Sequence, residues 1–328
     1  MGRVIDVLDG GLATTIQDRG RPAGPARGVA PGGALDTWAA GWANALVGNP
    51  PSAALLEATL LGPTLRFPEG ATVGLAGANM GVRVDGLAVS VGQAVRVRPG
   101  GELTAGPARS GVRLYLAVDG GILSESWLGS RSVDQVAGFG RPLRARDRLP
   151  LGLPLAAEPP SGATGVNTCL ARDVVRVTAG PAADGGLLEW LTDGRFHVSV
   201  RSDRVGVRLD PQDAARGNLA GVWPAHWDRR LSIPMVTGAV QVTPDGTCLV
   251  LMAGRGVLGG YPVPAVVVAA DMPVLAQATP GAPLRLVVVS RDEARAAWAA
   301  LKASAPWARG VAAKDATPEG EGEGTRCG

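Results

Sequence analysis

The sequence predicts a mostly β protein with a few helices, arranged as a barrel or sandwich. Two observations carry this prediction. Glycine occurs 48 times and proline 26 times in 328 residues, and the glycine level is about twice the usual one. Short apolar segments recur about every ten residues, divided by Gly or Pro, as in all-β folds. The hydrophobic share of 46% supplies a real core and excludes global disorder. At ~150 residues per domain the length fits two units, with one large β-domain as the alternative.

The elements follow in order. Arg3–Val7 reads as a first strand. Gly10–Gly33, dense in Gly, Pro and Arg, reads as an ordered functional loop or a hairpin. Leu35, Trp38, Ala39, Trp42 and Leu46 recur at helical spacing, and Gly48-Asn49-Pro50-Pro51 ends that helix. Trp38 and Trp42 read as core, with an exposed docking face as the alternative. Strands are expected at Thr72–Leu75, Val82–Val84, Ala94–Val97 and Val112–Val118. Leu151–Thr168 lacks periodicity and reads as a linker. Beyond it come strands at Val174–Thr178, His197–Val200, Ala239–Thr243, Thr247–Met252, Val263–Ala269 and Leu284–Val289. A short helix is expected at Gly186–Leu191. Pro244-Asp245-Gly246 is a hairpin turn, because Pro presets φ and Gly accepts a positive one. Ser290 and Glu293 have capping-box spacing and open a helix over Arg291–Ala303, with Ala294, Ala297, Trp298 and Leu301 on one face. The predicted units are 1–155, 169–290, a C-terminal helix at 291–305 and a disordered tail at 312–328.

Charge and composition exclude several classes. The net charge is +3, with two lysines, Lys302 and Lys314, and otherwise arginine. The charges are dispersed and mixed in sign, which reads as a solvated surface and not a nucleic-acid face. Cys169, Cys248 and Cys327 are far apart, odd in number and lack zinc spacing. The start carries no apolar leader, and the longest apolar stretch, near Ala265–Ala270, falls short of the ~20 residues of a membrane helix. A cytoplasmic protein that binds neither membrane nor nucleic acid is expected.

Most local motifs have plain structural readings. Gly254–Gly259 matches GxGxxG, but Gly260, Pro262 and Pro264 prevent the helix that a dinucleotide site needs, so it reads as a turn. His197 and His226 lack metal-ligand spacing and read as structural. Gly11–Arg21 differs: it gathers two hydroxyls, an amide, a carboxylate and two guanidiniums between glycines. It reads as a solvated loop or as a clamp for a carboxylate or phosphate. Gly129-Ser130-Arg131-Ser132 and Ser202-Asp203-Arg204 repeat the pairing of hydroxyl and arginine.

Together these segments resemble the KipA family, also called the biotin-dependent carboxyltransferase family. It includes the C subunit of 5-oxoprolinase and the second subunit of allophanate hydrolase. The resemblance runs from about Val4 to Leu286. Leu12–Arg21 is similar to its Thr-Thr-x-Gln-Asp-x-Gly-Arg, and Gly33-Ala34-Leu35-Asp36 to its Gly-Ala-x-Asp. Ala43–Asn49, Leu56-Glu57, Gly62-Pro63, Tyr115–Gly121, Leu128–Ser132 and Gly138–Pro142 follow in order. The second half adds Ser202–Arg204, Gly238–Gln241 and Gly259–Pro262. Other positions depart from the family pattern. Gly254, Gly256, Val257 and Leu258 stand in its Asp-Arg-Gln-Thr-Thr segment. Ile233 replaces a Glu, and Val133 a Thr.

The resemblance implies cyclophilin-like β-barrel elements in two subdomains: a carboxyltransferase subdomain and a C-terminal cyclophilin-like one. It implies the C subunit of an ATP-dependent 5-oxoprolinase, an assembly that opens 5-oxoproline to glutamate. The implied partners are the KipI-like B subunit of that enzyme and its A subunit. ATP would be a cosubstrate, and no cofactor would be tightly bound. The alternatives are transfer of a carboxyl group from carboxybiotin on a carrier protein to a urea-like or amide substrate, and non-catalytic regulation of a KipI-like partner. Both reactions develop negative charge on an amide or ureido oxygen, which fixed donors stabilise. The expected catalytic residues are Asp18, Asp36 and Arg131. Asp18 or Asp36 would act as general base or orient an arginine. The expected substrate or anion contacts are Thr15, Gln17, Arg21, Ser130, Ser132, Ser202, Asp203, Arg204, Gln241 and Tyr261. No metal site is expected. The departures imply a site concentrated in the first half, or a degenerate paralogue.

Overall fold

The computed structural model describes residues 2–154, 172–184, 186–213, 219, 221–223 and 232–305. Most of the predicted linker, His226, Cys169, Cys327 and the predicted tail lie outside the described residues.

The first half is a stack of two antiparallel sheets. One has the order β11 (Arg148–Pro150), β1 (Val4–Asp9), β4 (Thr64–Phe67), β9 (Gly101–Thr104), β6 (Arg83–Val84), β7 (Leu87–Ala88). The other has the order β2 (Ala13–Gln17), β3 (Leu55–Thr59), β10 (Ser110–Val118), β5 (Ala71–Asn79), β8 (Gln93–Val97). Ile5, Val7, Leu65, Phe67 and Leu103 of the first sheet pack on Leu56, Val73, Leu75, Leu114 and Leu116 of the second. Apolar burial between two inner faces is the main favourable term here.

Side chains of a strand alternate between faces. The outer face of the five-stranded sheet therefore carries Leu55, Tyr115 and Ala117, and helix α1 (Thr37–Leu46) covers them with Ala39, Trp42, Ala43 and Leu46. Trp42 is buried and Trp38 packs at the margin, so both belong to this core. The helix comes so close that a Cβ on Gly74 of β5 would lie 2.2 Å from the Ala43 carbonyl oxygen. Only glycine fits there.

The second half closes into a barrel. Its order is β12 (Val174–Ala179), β19 (Ala265–Val267), β16 (Ala239–Val242), β17 (Cys248–Leu251), β14 (Gly206–Pro211), β13 (Phe196–Val198), β20 (Pro283–Val288). Closure pairs β12 with β20 in parallel, and the other pairs are antiparallel. Val175, Phe196, Val240, Val250 and Leu286 fill the interior, joined by Leu187 and Leu191 of α2 (Leu187–Asp193) and Val274 and Leu275 of α3 (Met272–Gln277). Closure leaves no open sheet edge in the barrel. Beside it, β15 (Ile233–Pro234) pairs with β18 (Leu258–Gly259). Helix α4 (Arg291–Ala303) begins at the expected capping box, with both reciprocal bonds present.

The structure changes several expectations. Gly10–Gly33 is neither a loop throughout nor a hairpin, because it contains β2, which pairs with β3 in a different sheet from β1. On helix α4 the expected inner face holds for Ala294, Ala297 and Leu301, which are half-buried, but Trp298 keeps 37% of its surface exposed. As expected, Gly254–Gly259 opens no helix; a turn there leads into strand β18. Strands β3, β4, β7, β9 and β11 lie within 54–151, which reads as short strands, but are not singled out by the pattern; β14, β15, β18 and helix α3 are not anticipated. Among the described residues no helix is long and apolar enough to cross a membrane.

Candidate active site

A cleft of about 330 Å³ lies where the two halves meet. Its floor is the outer face of β2, β3 and β10. Register places Ala13, Thr59 and Arg113 in one row and Thr15, Glu57 and Tyr115 in the next. Ala13, Thr15, Thr59 and Arg113 line the cleft. The barrel supplies the opposite wall through Ser202, Asp203, Arg204 and Val205, on the loop between β13 and β14, and through Gly254. Val133, Asp134, Gln135 and Val136 close a third side.

The barrel loop is built to hold its shape. The Asp203 carboxylate accepts from the Val205 and Gly206 amides at 2.8 and 3.1 Å. The Ser202 hydroxyl accepts from the Arg208 amide at 3.0 Å. Arg204 then crosses to the first half, where its Nη1 donates to Glu57 Oε1 and its Nη2 donates to the Gly33 carbonyl at 2.6 Å.

Beneath the cleft is a buried polar network. Glu57 Oε2 accepts from the Leu35 amide and the Tyr115 hydroxyl, each at 2.8 Å. The Asp36 amide donates to Tyr115 Oη at 2.8 Å. Gln277 of α3 accepts from the Val112 and Arg113 amides, and its Nε2 donates to Asp36 and to the Arg113 carbonyl, all at 3.0 Å. Burial pushes the Glu57 carboxyl up, but Arg204 and Arg113 outweigh it and hold it below the usual range. Burial raises Asp36 to about 6 against the bonds from Ala39 and Gln277. Tyr115 is raised by burial and by both carboxylates.

Thr15, Ser202, Asp203 and Arg204 thus meet in one cleft. The other predicted residues lie elsewhere. Asp36 is fully buried as the N-cap of α1, with its carboxylate accepting from the Ala39 amide at 2.8 Å. That placement corrects the expectation of a general base, since no substrate reaches a sealed helix cap. Asp18 ties down the 130–132 turn. Its carboxylate accepts from the Ser130 and Ser132 hydroxyls and from the Gly20 and Arg131 amides. A carboxylate with four donors is a structural tie, and Ser130 and Ser132 are part of that tie. The Arg131 guanidinium has no partner among the described residues and lies outside the cleft lining.

Arg21 is buried beside the cleft. Its Nη2 donates to the Ser132 carbonyl, its Nη1 lies 3.6 Å from Asp134, and it stacks 5.2 Å from the Phe139 ring. Gly32 screens it, since a Cβ there would sit 2.7 Å from Nη1. Gln17 lies on the same face as Thr15 but is buried, donating to Thr15 Oγ1 at 2.9 Å and to the Val133 carbonyl at 3.2 Å. Gln241 is buried against Met235, and Tyr261 is 46% exposed; neither lines the cleft. His197 is exposed on β13. Of the departures from the family pattern, Gly254 and Val133 face the cleft, whereas Ile233 and Leu258 lie in the paired strands β15 and β18.

Arg113, Asp134, Glu57 and Gln277 were not predicted. A signal for two of them existed. Glu57 and Arg113 are lone charges in otherwise apolar strands, and a buried charge requires a partner.

The fold sets a cleft between a β-sandwich and a β-barrel, lined from both. The family model for the carboxyltransferase domain, subdomain A and B, matches residues 27–288, and the chain belongs to that family. It is 35% identical to the C subunit of 5-oxoprolinase from Escherichia coli (strain K12) over 299 residues, covering 89% of this chain and 93% of the relative. The crystal structure of TTHA0988 superposes with a TM-score of 0.76 at 35% identity, covering 87% of this chain and 55% of that one. The urea carboxylase of Kluyveromyces lactis superposes with a TM-score of 0.79 at 28% identity, covering 92% of this chain and 29% of that one. The chain therefore spans about half of the first solved structure and under a third of the second.

Proposed function

We propose that this chain is the C subunit of an ATP-dependent 5-oxoprolinase, active in the cytoplasm only when assembled with the KipI-like B subunit and the A subunit of that enzyme. The observation that carries the reading is its near full-length similarity to the 5-oxoprolinase C subunit, at 35% identity over 93% of that relative. The cleft supports it chemically. Lactam opening adds water to the ring carbonyl carbon, breaks the C–N bond and protonates the departing nitrogen, giving glutamate. ATP, as cosubstrate, makes the overall step favourable. Negative charge develops on the former carbonyl oxygen or on a phosphoryl group it carries. Arg204 from the barrel wall and Arg113 from the floor are preorganised donors that converge on Glu57, and one such donor is typically worth about 3–4 kcal/mol. Thr15 and Ser202 offer hydroxyls beside them.

A second reading is favoured by the likeness to urea carboxylase. Here the same arginines would hold charge on a ureido or amide oxygen while a carboxyl group arrives from carboxybiotin on a carrier protein.

The test is turnover of the chain purified with the homologues of its two partner subunits. Glutamate release matched by ADP is the expected result. Arg204→Ala should lower kcat at least 100-fold in a folded complex, whereas Arg131→Ala, outside the cleft, should lower it less than five-fold. A stable complex without 5-oxoproline turnover overturns the proposal. Carboxylation of urea by a biotinylated carrier would then establish the second reading.

A further inference from the structure

We propose that Glu57 is the positioning residue of the cleft: one buried carboxylate that holds the loop-borne guanidinium of the barrel beside the strand-borne one of the sandwich. The inference rests on the cleft being the reaction site. Glu57 has no exposed surface, so it cannot touch substrate itself. Its Oε1 faces both arginines, accepting from Arg204 and lying 4.0 Å from Arg113 Nε. Its Oε2 accepts from the Leu35 amide and the Tyr115 hydroxyl, which fixes the carboxylate plane. Tyr115 is the direct cross-strand neighbour of Glu57, so the anchor is set by sheet register and not by a loop.

The two arginines differ in how firmly they are held. Arg204 is one-quarter exposed and arrives on a loop from the barrel. Apart from Glu57, its guanidinium bonds only the Gly33 carbonyl among the described residues. Arg113 is buried, and its Nη1 donates to the Ala276 carbonyl at 2.5 Å. Among the described residues its Nε has no hydrogen-bond partner, and it faces Glu57 Oε1 across 4.0 Å. Glu57 is therefore the part of the site that ties the loop-borne arginine to the strand-borne one.

The experiment is arginine labelling by phenylglyoxal on the full chain at pH 7.5, with rates mapped by peptide mass spectrometry. Glu57→Gln should raise the labelling rate of Arg204 at least ten-fold and leave Arg141, paired with Asp147 on the surface, unchanged. General loosening of the fold would raise both rates. An Arg204 rate within two-fold of the native one, in folded protein, overturns the proposal. If Glu57→Gln does not fold, Arg204→Met serves instead. With its first partner gone, Glu57 should draw in Arg113, and Arg113 labelling should slow at least three-fold; no slowing overturns the proposal. The labelling does not depend on turnover. A complex that fails to open 5-oxoproline while the labelling result holds overturns the function proposed above and leaves the role of Glu57 intact.

Discussion

Asp36 shows how a residue can mark a site without acting in it. Its carboxylate is sealed between α1 and Gln277, and burial raises it to about 6. In an unfolded chain the group titrates near its ordinary value of 3.8. The folded state therefore holds the proton more tightly over that interval. Its contribution is fully present below about pH 4 and is lost as pH rises through about 6, a change of roughly 3 kcal/mol for two pKa units. Asn at this position keeps a capping oxygen and has no titration. The stability difference between native protein and Asp36→Asn should thus shift against the native protein by roughly 3 kcal/mol from pH 4 to pH 7. Urea unfolding across that range measures it. A difference independent of pH would mean that Asp36 ionises in the fold as freely as in water.

At the scale of elements, legibility followed local chemistry. Helix α4 was readable to its ends because a capping box is a local device, with Ser290 accepting from the Glu293 amide at 3.2 Å. Its inner face was readable too: Ala294, Ala297 and Leu301 of the expected face are half-buried, although no residue of the helix is fully buried. Ser290→Ala removes the cap, at a cost of about 1 kcal/mol. Because α4 contributes no core residue, the loss should stay local. Amide exchange over Arg291–Ala303 should quicken several-fold while the global unfolding midpoint stays put. A fall in that midpoint of the full amount would show α4 to be part of the cooperative core. Strand β3 escaped notice for the opposite reason. Its Leu-Leu-Glu-Ala-Thr is buried on both faces, so the alternation that marks a half-exposed strand is absent. The same burial hides Glu57, whose importance comes from partners far along the chain.

At the scale of the molecule, the site exists only where the halves meet. Thr15, Ser202, Asp203 and Arg204 could be nominated from short motifs, because polar side chains beside glycine turns are visible locally. Their assembly could not be read. Arg204 and Glu57 are 147 positions apart, and Gln277 reaches Val112 across 165. No spacing rule spans such distances; barrel closure and sheet register bring these groups together. The seam also sets the stability of the whole. Gln277 satisfies the Val112 and Arg113 amides, the Arg113 carbonyl and the Asp36 carboxylate, all away from solvent. Gln277→Ala leaves these buried groups short of partners, and each orphaned group costs about 1–3 kcal/mol less whatever water recovers. The variant should lose at least ~3 kcal/mol in urea unfolding. Gln277→Glu separates geometry from charge. It retains an acceptor for the two amides but sets a second carboxylate against Asp36. That variant should be the more damaged at pH 7.5 and recover towards pH 5, as protonation relieves the repulsion. Equal losses for both variants at both pH values would show that packing of α3, and not its polar contacts, joins the barrel to the sandwich.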